Sequence, residues 1–219
     1  MPYFLGDYLK QNSGVDLTID VTNYSKVLSS LLQYEIDFAL ISHDPDNIKF
    51  ENFDLIKNEL FLIGNSSNNT SLTGDKAISD STFLFREEGS RTRLVMENFI
   101  AKNKIKIKKK IELTSNEAVK QSVIAGLGLS IMPLIGIRNE IESGLLKIIP
   151  MKGLPIQTTW RLIWLKEKRL SPIAESYLSY LEKEKETIIK NYFSGEHIEK
   201  KTPFYIEQNM NMKLYPAKC

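Results

Sequence analysis

The sequence predicts an α/β protein built from two lobes. Apolar residues alternate with polar ones in some segments and recur at helical spacing in others, and the two kinds of segment succeed one another along most of the chain. A polar, turn-rich stretch, NSSNNTSLTGD, interrupts this order and predicts a crossing into a second lobe. We therefore expect lobe I to comprise residues 1–64 and 150–189 and lobe II residues 65–149, with residues 190–219 forming a poorly structured extension.

Composition narrows the classes of protein. The 219 residues, 42% of them hydrophobic, suffice for one large domain or two small lobes. A formal net charge of +2 gives no general electrostatic reason to bind nucleic acid or an anionic membrane. The single cysteine, Cys219, provides neither a disulfide framework nor a thiolate metal cluster, and His43 and His197 are the only histidines. We expect no metal and no cofactor.

The first residues, MPYFLGDYLKQNSG, lack the basic segment and apolar core of a secretory signal and predict an amphipathic helix instead. No apolar run approaches the roughly 20 residues that span a bilayer. These features predict a cytoplasmic location and no membrane partner.

Lobe I is predicted to contain a β-α-β unit. The alternating run VDLTIDV predicts a strand, Asn23 can cap the helix that follows, and residues 38–41 predict a second strand that ends at Ser42. Such crossovers place parallel strands side by side, so we expect Asn23 and Ser42 to lie close together at the carboxyl ends of the strands. Residues 53–56 and 60–64 predict two further strands.

Lobe II is predicted to begin with a strand over residues 82–86, which runs into the loop REEGSRTR. Gly89 permits a tight turn there, and Ser90 or Thr92 can cap the helix beyond it. A helix N-terminus thus follows a strand end, and Arg86 is a candidate for neutralising an anion. The lysine-rich residues 102–110 lack interleaved aromatic side chains, so we interpret them as a solvated surface and not as a nucleic-acid site.

The stretch TSNEAVKQSVIAGLGLSIMP, residues 114–133, predicts a second capped helix followed by a strand. Thr114 and Glu117 have the spacing of a capping box, and Gly126 and Gly128 offer positions for a left-handed turn that ends the helix. The N-terminal amides beside Thr114, Ser115 and Asn116 would attract anions or polar ligands. Further on we expect a helix from Pro133, strands over residues 145–150 and 158–166, and a helix that begins at Ser171.

The order of these elements, with REEGSRTR and the longer stretch from Thr114, resembles the effector-binding domain of LysR-type transcriptional regulators over about residues 1–185. The loop is similar to that of the subgroup related to sulfur-assimilation and carbon-fixation regulators. Where that loop usually carries a second glycine, this chain has Arg91, whose side chain would reach an anion or block the ligand position.

The resemblance implies a two-lobed fold like that of type 2 periplasmic binding proteins, with a small, anionic metabolite bound between the lobes. It implies ligand contacts from two groups of residues, which are Arg86, Gly89, Ser90, Thr92, Thr114, Ser115 and Asn116 in lobe II and Asn23 and Ser42 in lobe I. It also implies a homodimer or tetramer, in which the helix near residues 1–10 of one copy pairs with the helix near residues 92–103 of another. DNA would be bound only by a helix-turn-helix domain that this sequence does not contain.

The resemblance further implies that the first strand of the effector domain would precede Met1, so we expect a central position in the lobe I sheet to be unfilled and the chain to be a truncated form of lower stability. Two other classes of protein have a comparable topology. A solute-binding protein of a transporter would carry an export signal, and an enzyme such as a deaminase or dehydratase would need a catalytic constellation that the sequence does not offer. We therefore expect no enzymatic activity.

Overall fold

The structure, a computed structural model, describes residues 1–67, 78, 80–193 and 210–216. The chain divides into two compact units, of which unit 1 comprises Met1–Lys57 and Thr159–Cys219 and unit 2 comprises Asn58–Thr158. Two strands, β3 (Phe50–Asn65) and β8 (Ile156–Leu165), run from one unit into the other.

Unit 1 combines a sheet with three helices. The helices are α1 (Pro2–Gln11), α2 (Tyr24–Leu32) and α6 (Pro172–Tyr192). The strands are β1 (Val15–Val21), β2 (Phe38–Ile41), β9 (Met210–Pro216) and part of β8. The strand order is β1-β9-β2-β8, and all neighbours are antiparallel. Helix α6 begins as expected, since Ser171 Oγ accepts a hydrogen bond from the amide of Ala174 at 3.2 Å.

The C-terminal strand β9 overturns two expectations. Residues 190–219 are not uniformly unstructured, because α6 continues to Tyr192 and residues 210–216 form a strand. The central position between β1 and β2 is not empty either, because β9 occupies it. It is antiparallel to both neighbours, so β1 and β2 run in the same direction without being adjacent. The predicted β-α-β unit therefore has a third strand inserted between its two strands.

Unit 2 contains the remaining elements. They are β4 (Thr82–Arg86), α3 (Arg91–Lys102), β5 (Lys109–Leu113), α4 (Asn116–Ile124), β6 (Ser130–Pro133), α5 (Arg138–Glu142) and β7 (Leu146–Ile148). Strands β4 and β5 are parallel, and β3 pairs antiparallel with β6 and β7. The helix predicted from Pro133 is divided into a short 3-10 helix, Leu134–Gly136, and α5.

The boundaries between the units differ from the predicted ones, which followed residues 64 and 149. They lie at Lys57/Asn58 and Thr158/Thr159. The reason is that β3 is one continuous strand of 16 residues, and not the predicted pair over residues 53–56 and 60–64, so the chain crosses within a strand and not at the polar loop. The beginning of that loop is described, and residues 68–77 lie outside the described residues.

No helix in the described part of the chain combines the length and the apolar character needed to cross a membrane.

Candidate functional site

Two helix N-termini lie at one edge of unit 2. Strands β4 and β5 are parallel and in register, so that Arg86 at the end of β4 pairs with Leu113 at the end of β5. Each strand is followed by a short loop and a helix, α3 after β4 and α4 after β5. Because the segments that follow β4 and β5 leave the sheet in the same direction, the first turns of both helices lie at this edge. Helix N-termini carry unsatisfied amides and a partial positive charge, which attract anions.

The N-terminus of α4 is capped by Ser115. Its Oγ accepts a hydrogen bond from the amide of Ala118 at 3.0 Å, while Thr114 is exposed in the loop before it. The capping box predicted between Thr114 and Glu117 is therefore wrong. Helix α4 begins one residue later than that motif requires, and the Glu117 carboxylate instead accepts from Gln121 at 2.8 Å and pairs with Lys120 at 2.9 Å.

Arg86 links the two loops. The residue is 9% exposed, and its Nη1 donates a hydrogen bond to Asn116 Oδ1 at the start of α4. Its Nε and Nη2 donate to the two carboxylate oxygens of Glu87 at 2.7 and 2.9 Å. The guanidinium is thus held by a bidentate carboxylate, which is the geometry that it would offer to a carboxylate or phosphate ligand. Sequence reasoning assigned no role to Glu87, and only its position next to Arg86 could have indicated one.

The N-terminus of α3 carries a buried hydroxyl group. Gly89 has a left-handed φ of 84°, which lets the loop turn into the helix. Ser90 occupies the N-cap position but forms no side-chain capping bond, contrary to one of the two predicted caps. Its side chain is buried, and its Oγ has no hydrogen-bond partner among the described residues. Thr92, in the first turn, is also buried. A buried hydroxyl without a partner is costly, so the site has an unused capacity to hydrogen-bond a ligand.

Arg93 supports this edge of the unit. It pairs with Glu97 at 2.8 Å and with Glu112 at 2.7 Å, and it donates to the backbone oxygen of Arg86 at 3.3 Å. The hydrogen bond to Glu97 raises the pKa of the Arg93 guanidinium, although partial burial acts against this. These contacts join α3 to β5 and to the end of β4, so Arg93 holds the edge together.

Lys120 is a buried charge one turn along α4. Its Nζ lies 2.9 Å from Glu117 and 2.7 Å from Glu140 of α5, and its side chain is 8% exposed. Burial lowers the pKa of Lys120, but the hydrogen bonds and charges of Glu140 and Glu117 outweigh it and raise the pKa above its usual value. This pair of contacts fixes α4 against α5 and thereby helps to fix the first turn of α4.

The two candidates in unit 1 have structural roles of their own. Asn23 caps α2, since its Oδ1 accepts from the amide of Lys26 at 3.1 Å, as predicted. Ser42 follows β2, and its Oγ lies 3.2 Å from His43 Nδ1. Because β9 separates β1 from β2, the ends of these strands are two strand spacings apart, or about 10 Å, and not adjacent as predicted.

Within the described residues no group of three or more histidine, cysteine, aspartate or glutamate side chains could hold a metal ion. The described geometry at the edge of unit 2 is suited to holding an anion by amides, hydroxyls and a guanidinium.

Two α/β units are connected by two strands, and helix N-termini form a polar edge in the second unit. The chain belongs to the LysR substrate binding domain family, whose model matches residues 1–186. It shares the family's fold, which is that of type 2 periplasmic binding proteins, as the resemblance predicted.

Two curated relatives are transcriptional regulators. The chain is 32% identical over 186 residues to the HTH-type transcriptional activator CmpR of Synechocystis sp., with 83% of this chain and 60% of CmpR covered. It is 34% identical over 185 residues to a RuBisCO operon transcriptional regulator of Allochromatium vinosum, with 82% and 61% covered. The chain therefore spans about 60% of the length of these relatives. The name of the second relative agrees with the predicted likeness to the carbon-fixation subgroup.

A solved structure supports the same assignment. The regulatory domain of CcmR from Synechocystis PCC6803, in complex with 2-PG, matches with a TM-score of 0.76 and 28% identity, covering 82% of this chain and 88% of that domain.

Proposed function

We propose that this chain senses a small anionic effector, which binds at the N-termini of α3 and α4 in unit 2. The observation that carries the proposal is the parallel β4–β5 pair, because it brings both helix N-termini to one edge, where Arg86 already hydrogen-bonds Asn116. The ligand-contacting residues would be those predicted from the sequence for this unit, namely Arg86, Gly89, Ser90, Thr92, Thr114, Ser115 and Asn116.

The chemistry of these groups favours an anion. The first turns of two helices supply amide donors, and Arg86 supplies a bidentate donor. Ser90 supplies a buried hydroxyl that has no hydrogen-bond partner among the described residues. The similar CcmR domain binds 2-PG, an anionic effector, so 2-PG is the first ligand to test. Asn23 and Ser42 remain proposed contacts from unit 1, although the Asn23 oxygen is already used in capping α2.

Glu87 would compete with the effector for Arg86 and so limit the affinity of the chain for the effector. Its carboxylate occupies two of the donors of Arg86, as the carboxylate or phosphate of an effector would. An incoming anion therefore has to displace Glu87 or share the guanidinium with it. Glu87→Gln removes the competing charge, and we expect it to strengthen the binding of 2-PG by roughly fivefold, the effect of one partly exposed charge pair. Glu88→Gln is the matched control, because Glu88 is exposed and forms no ion pair with Arg86.

Ser90→Ala separates a ligand contact from a structural role. Since Ser90 Oγ is buried and has no partner in the described part of the chain, its removal should leave the free energy of unfolding unchanged or raise it. 2-PG should bind about tenfold more weakly to this variant, through the loss of a hydrogen bond to a charged group. Ser130→Ala is the control, because Ser130 is also buried in unit 2 but donates to the backbone oxygen of Leu84 at 2.8 Å. That variant should lose about 1 kcal/mol of stability.

Isothermal titration calorimetry of 2-PG into the wild type and these four variants, with urea unfolding of each, tests the proposal. It predicts the affinity order Glu87→Gln, then wild type and Glu88→Gln, then Ser90→Ala. Equal affinities for the wild type, Glu87→Gln, Glu88→Gln and Ser90→Ala would refute it, as would binding of uncharged ligands alone.

The wider function follows from the relatives. We propose that the chain is the sensing part of a LysR-type transcriptional regulator, acts in the cytoplasm, catalyses no reaction, and controls DNA binding by a helix-turn-helix domain outside this sequence. The effector would act by binding one conformation of the regulator more tightly than another. We further propose a homodimer or tetramer in which α1 of one copy pairs with α3 of another. A gel-shift assay on this chain alone should show no specific DNA binding.

A further inference from the structure

The sheet of unit 1 is completed by a strand from the far end of the chain. Strand β9 lies outside residues 1–186, which the family model matches, and residues 194–209 separate it from α6 and Phe193. It is nevertheless a central strand, with β1 on one side and β2 on the other. Among the described strands β1 pairs with β9 alone, so the attachment of β1 to the sheet depends on this segment.

Backbone hydrogen bonding along β9 is extensive. Its register with β1 runs over all seven residues, from Val15 opposite Pro216 to Val21 opposite Met210. On the other side it pairs with β2 over Phe38–Leu40, and the amide of Asp37 donates to the backbone oxygen of Met212 at 2.9 Å. Without this strand, the facing backbone groups of β1 and β2 would be left without partners.

One side chain recognises the inserted strand directly. The Asp37 carboxylate accepts a hydrogen bond from the backbone amide of Leu214 at 3.1 Å through one oxygen and pairs with Lys168 at 3.0 Å through the other. Lys168 also donates to the backbone oxygen of Ile36 at 2.6 Å. Asp37 is 7% exposed, so this charge-assisted bond is sheltered from water.

The side chains of β9 follow the alternation of an inserted strand. Met212 and Leu214 are 2% and 4% exposed, whereas Tyr215 is exposed. Both α2 and α6, which belong to the same unit, contact the strand. The gap between β1 and β2 therefore selects an extended segment by backbone pairing and by apolar side chains two residues apart.

We propose that the gap between β1 and β2 is a strand-binding slot, that the chain's own residues 210–216 are its occupant, and that Asp37 is the residue that holds this strand. The slot binds the strand as a peptide, independently of the covalent connection through residues 194–209. The contacts that hold the strand, made by Asp37 and by the backbones of β1 and β2, do not include the proposed effector contacts.

The test uses the full chain with a specific protease site inserted between Lys200 and Lys201. After cleavage, size-exclusion chromatography and native mass spectrometry measure whether the C-terminal fragment stays with the rest of the chain. We expect it to remain bound and to exchange with an excess of a fluorescent synthetic peptide of residues 207–219. A peptide with Met212→Ser and Leu214→Ser should not compete.

Asp37→Asn should speed the release of the cleaved fragment by at least about tenfold, the effect of losing a hydrogen bond to a charged group. Asp16→Asn is the matched control, because it makes the same charge change at an exposed position of β1. Circular dichroism of the uncleaved variants checks that both fold. The proposal fails if the fragment separates at once while the remaining chain keeps its native spectrum, or if both variants release it equally fast. If a dimer dissociated on cleavage, the slot would be occupied by the strand of a second copy. That result would also contradict the proposal.

Discussion

Gly128 should tolerate no side chain, for a reason different from that at Gly126. Gly126 has a left-handed φ of 78°, whereas a Cβ on Gly128 would lie 2.3 Å from the backbone oxygen of Thr82 and 2.9 Å from its carbonyl carbon. The backbone at Thr82 would have to move, and the hydrogen bond from the amide of Leu129 to Thr82 O, at 2.8 Å, would be lost or stretched. Overpacking of about 1–3 kcal/mol and a hydrogen bond of about 1 kcal/mol together predict a loss of about 2–4 kcal/mol for Gly128→Ala.

Hydrogen exchange measured by mass spectrometry is the suitable assay, because the two tryptophans, Trp160 and Trp164, belong to unit 1 and their fluorescence would report on the wrong unit. Amides of β4 should exchange at least about thirtyfold faster in Gly128→Ala than in the wild type, the factor that corresponds to about 2 kcal/mol. Gly136→Ala is the control, since no atom lies within 4 Å of its added Cβ. Equal exchange of β4 in the two variants would refute the close-approach argument.

Two further substitutions test contacts that stabilise each unit separately. Lys120→Met removes the cation that Glu117 and Glu140 share. We expect the free energy of unfolding of unit 2, measured with urea at neutral pH, to fall by about 1–3 kcal/mol. This is less than the cost of breaking a fully buried pair, because Glu117 is partly exposed. Because the pKa of Lys120 is raised in the folded chain, the stabilisation is complete below the usual lysine pKa and is lost as pH rises through the folded value. The difference in free energy of unfolding between the wild type and Lys120→Met should therefore shrink above about pH 10.4. A difference that stays constant with pH would contradict this. Leu214→Ala should lower the free energy of unfolding of unit 1 by about 2–5 kcal/mol, measured by tryptophan fluorescence. Lys213→Ala, on the other face of β9, should change it little. Equal effects of the two substitutions would show that β9 is not packed as described.

Much of the fold could be predicted from local sequence. Asn23 and Ser171 cap the helices that they were expected to cap, and the alternating run over residues 15–21 is a strand. Strand β9 was not predicted, although Met212 and Leu214 stand two residues apart in its sequence. A short alternating segment that follows a stretch without periodicity gives a weak local signal. The position of β9 in the sheet depends on pairing with β1, which lies nearly two hundred residues away along the chain.

The candidate site was predictable in part. The positions of Arg86, Ser90 and Ser115 follow from strand ends and helix starts, which are local features of the sequence. Which hydroxyl caps a helix and which remains without a partner could not be predicted, because a shift of one residue in the start of α4 transfers the cap from Thr114 to Ser115. The pairing of Arg86 with Glu87 depends on side-chain rotamers, which the sequence does not specify.

The proposed binding of an anionic effector at the paired helix N-termini of unit 2 can be tested residue by residue. The most direct measurement is a titration of the isotopically labelled chain with 2-PG, followed by the NMR shifts of the backbone amides. We expect saturable shifts concentrated in residues 86–93 and 114–118, and smaller shifts in Ser90→Ala. No shift at millimolar 2-PG, or shifts confined to other parts of the chain, would contradict it.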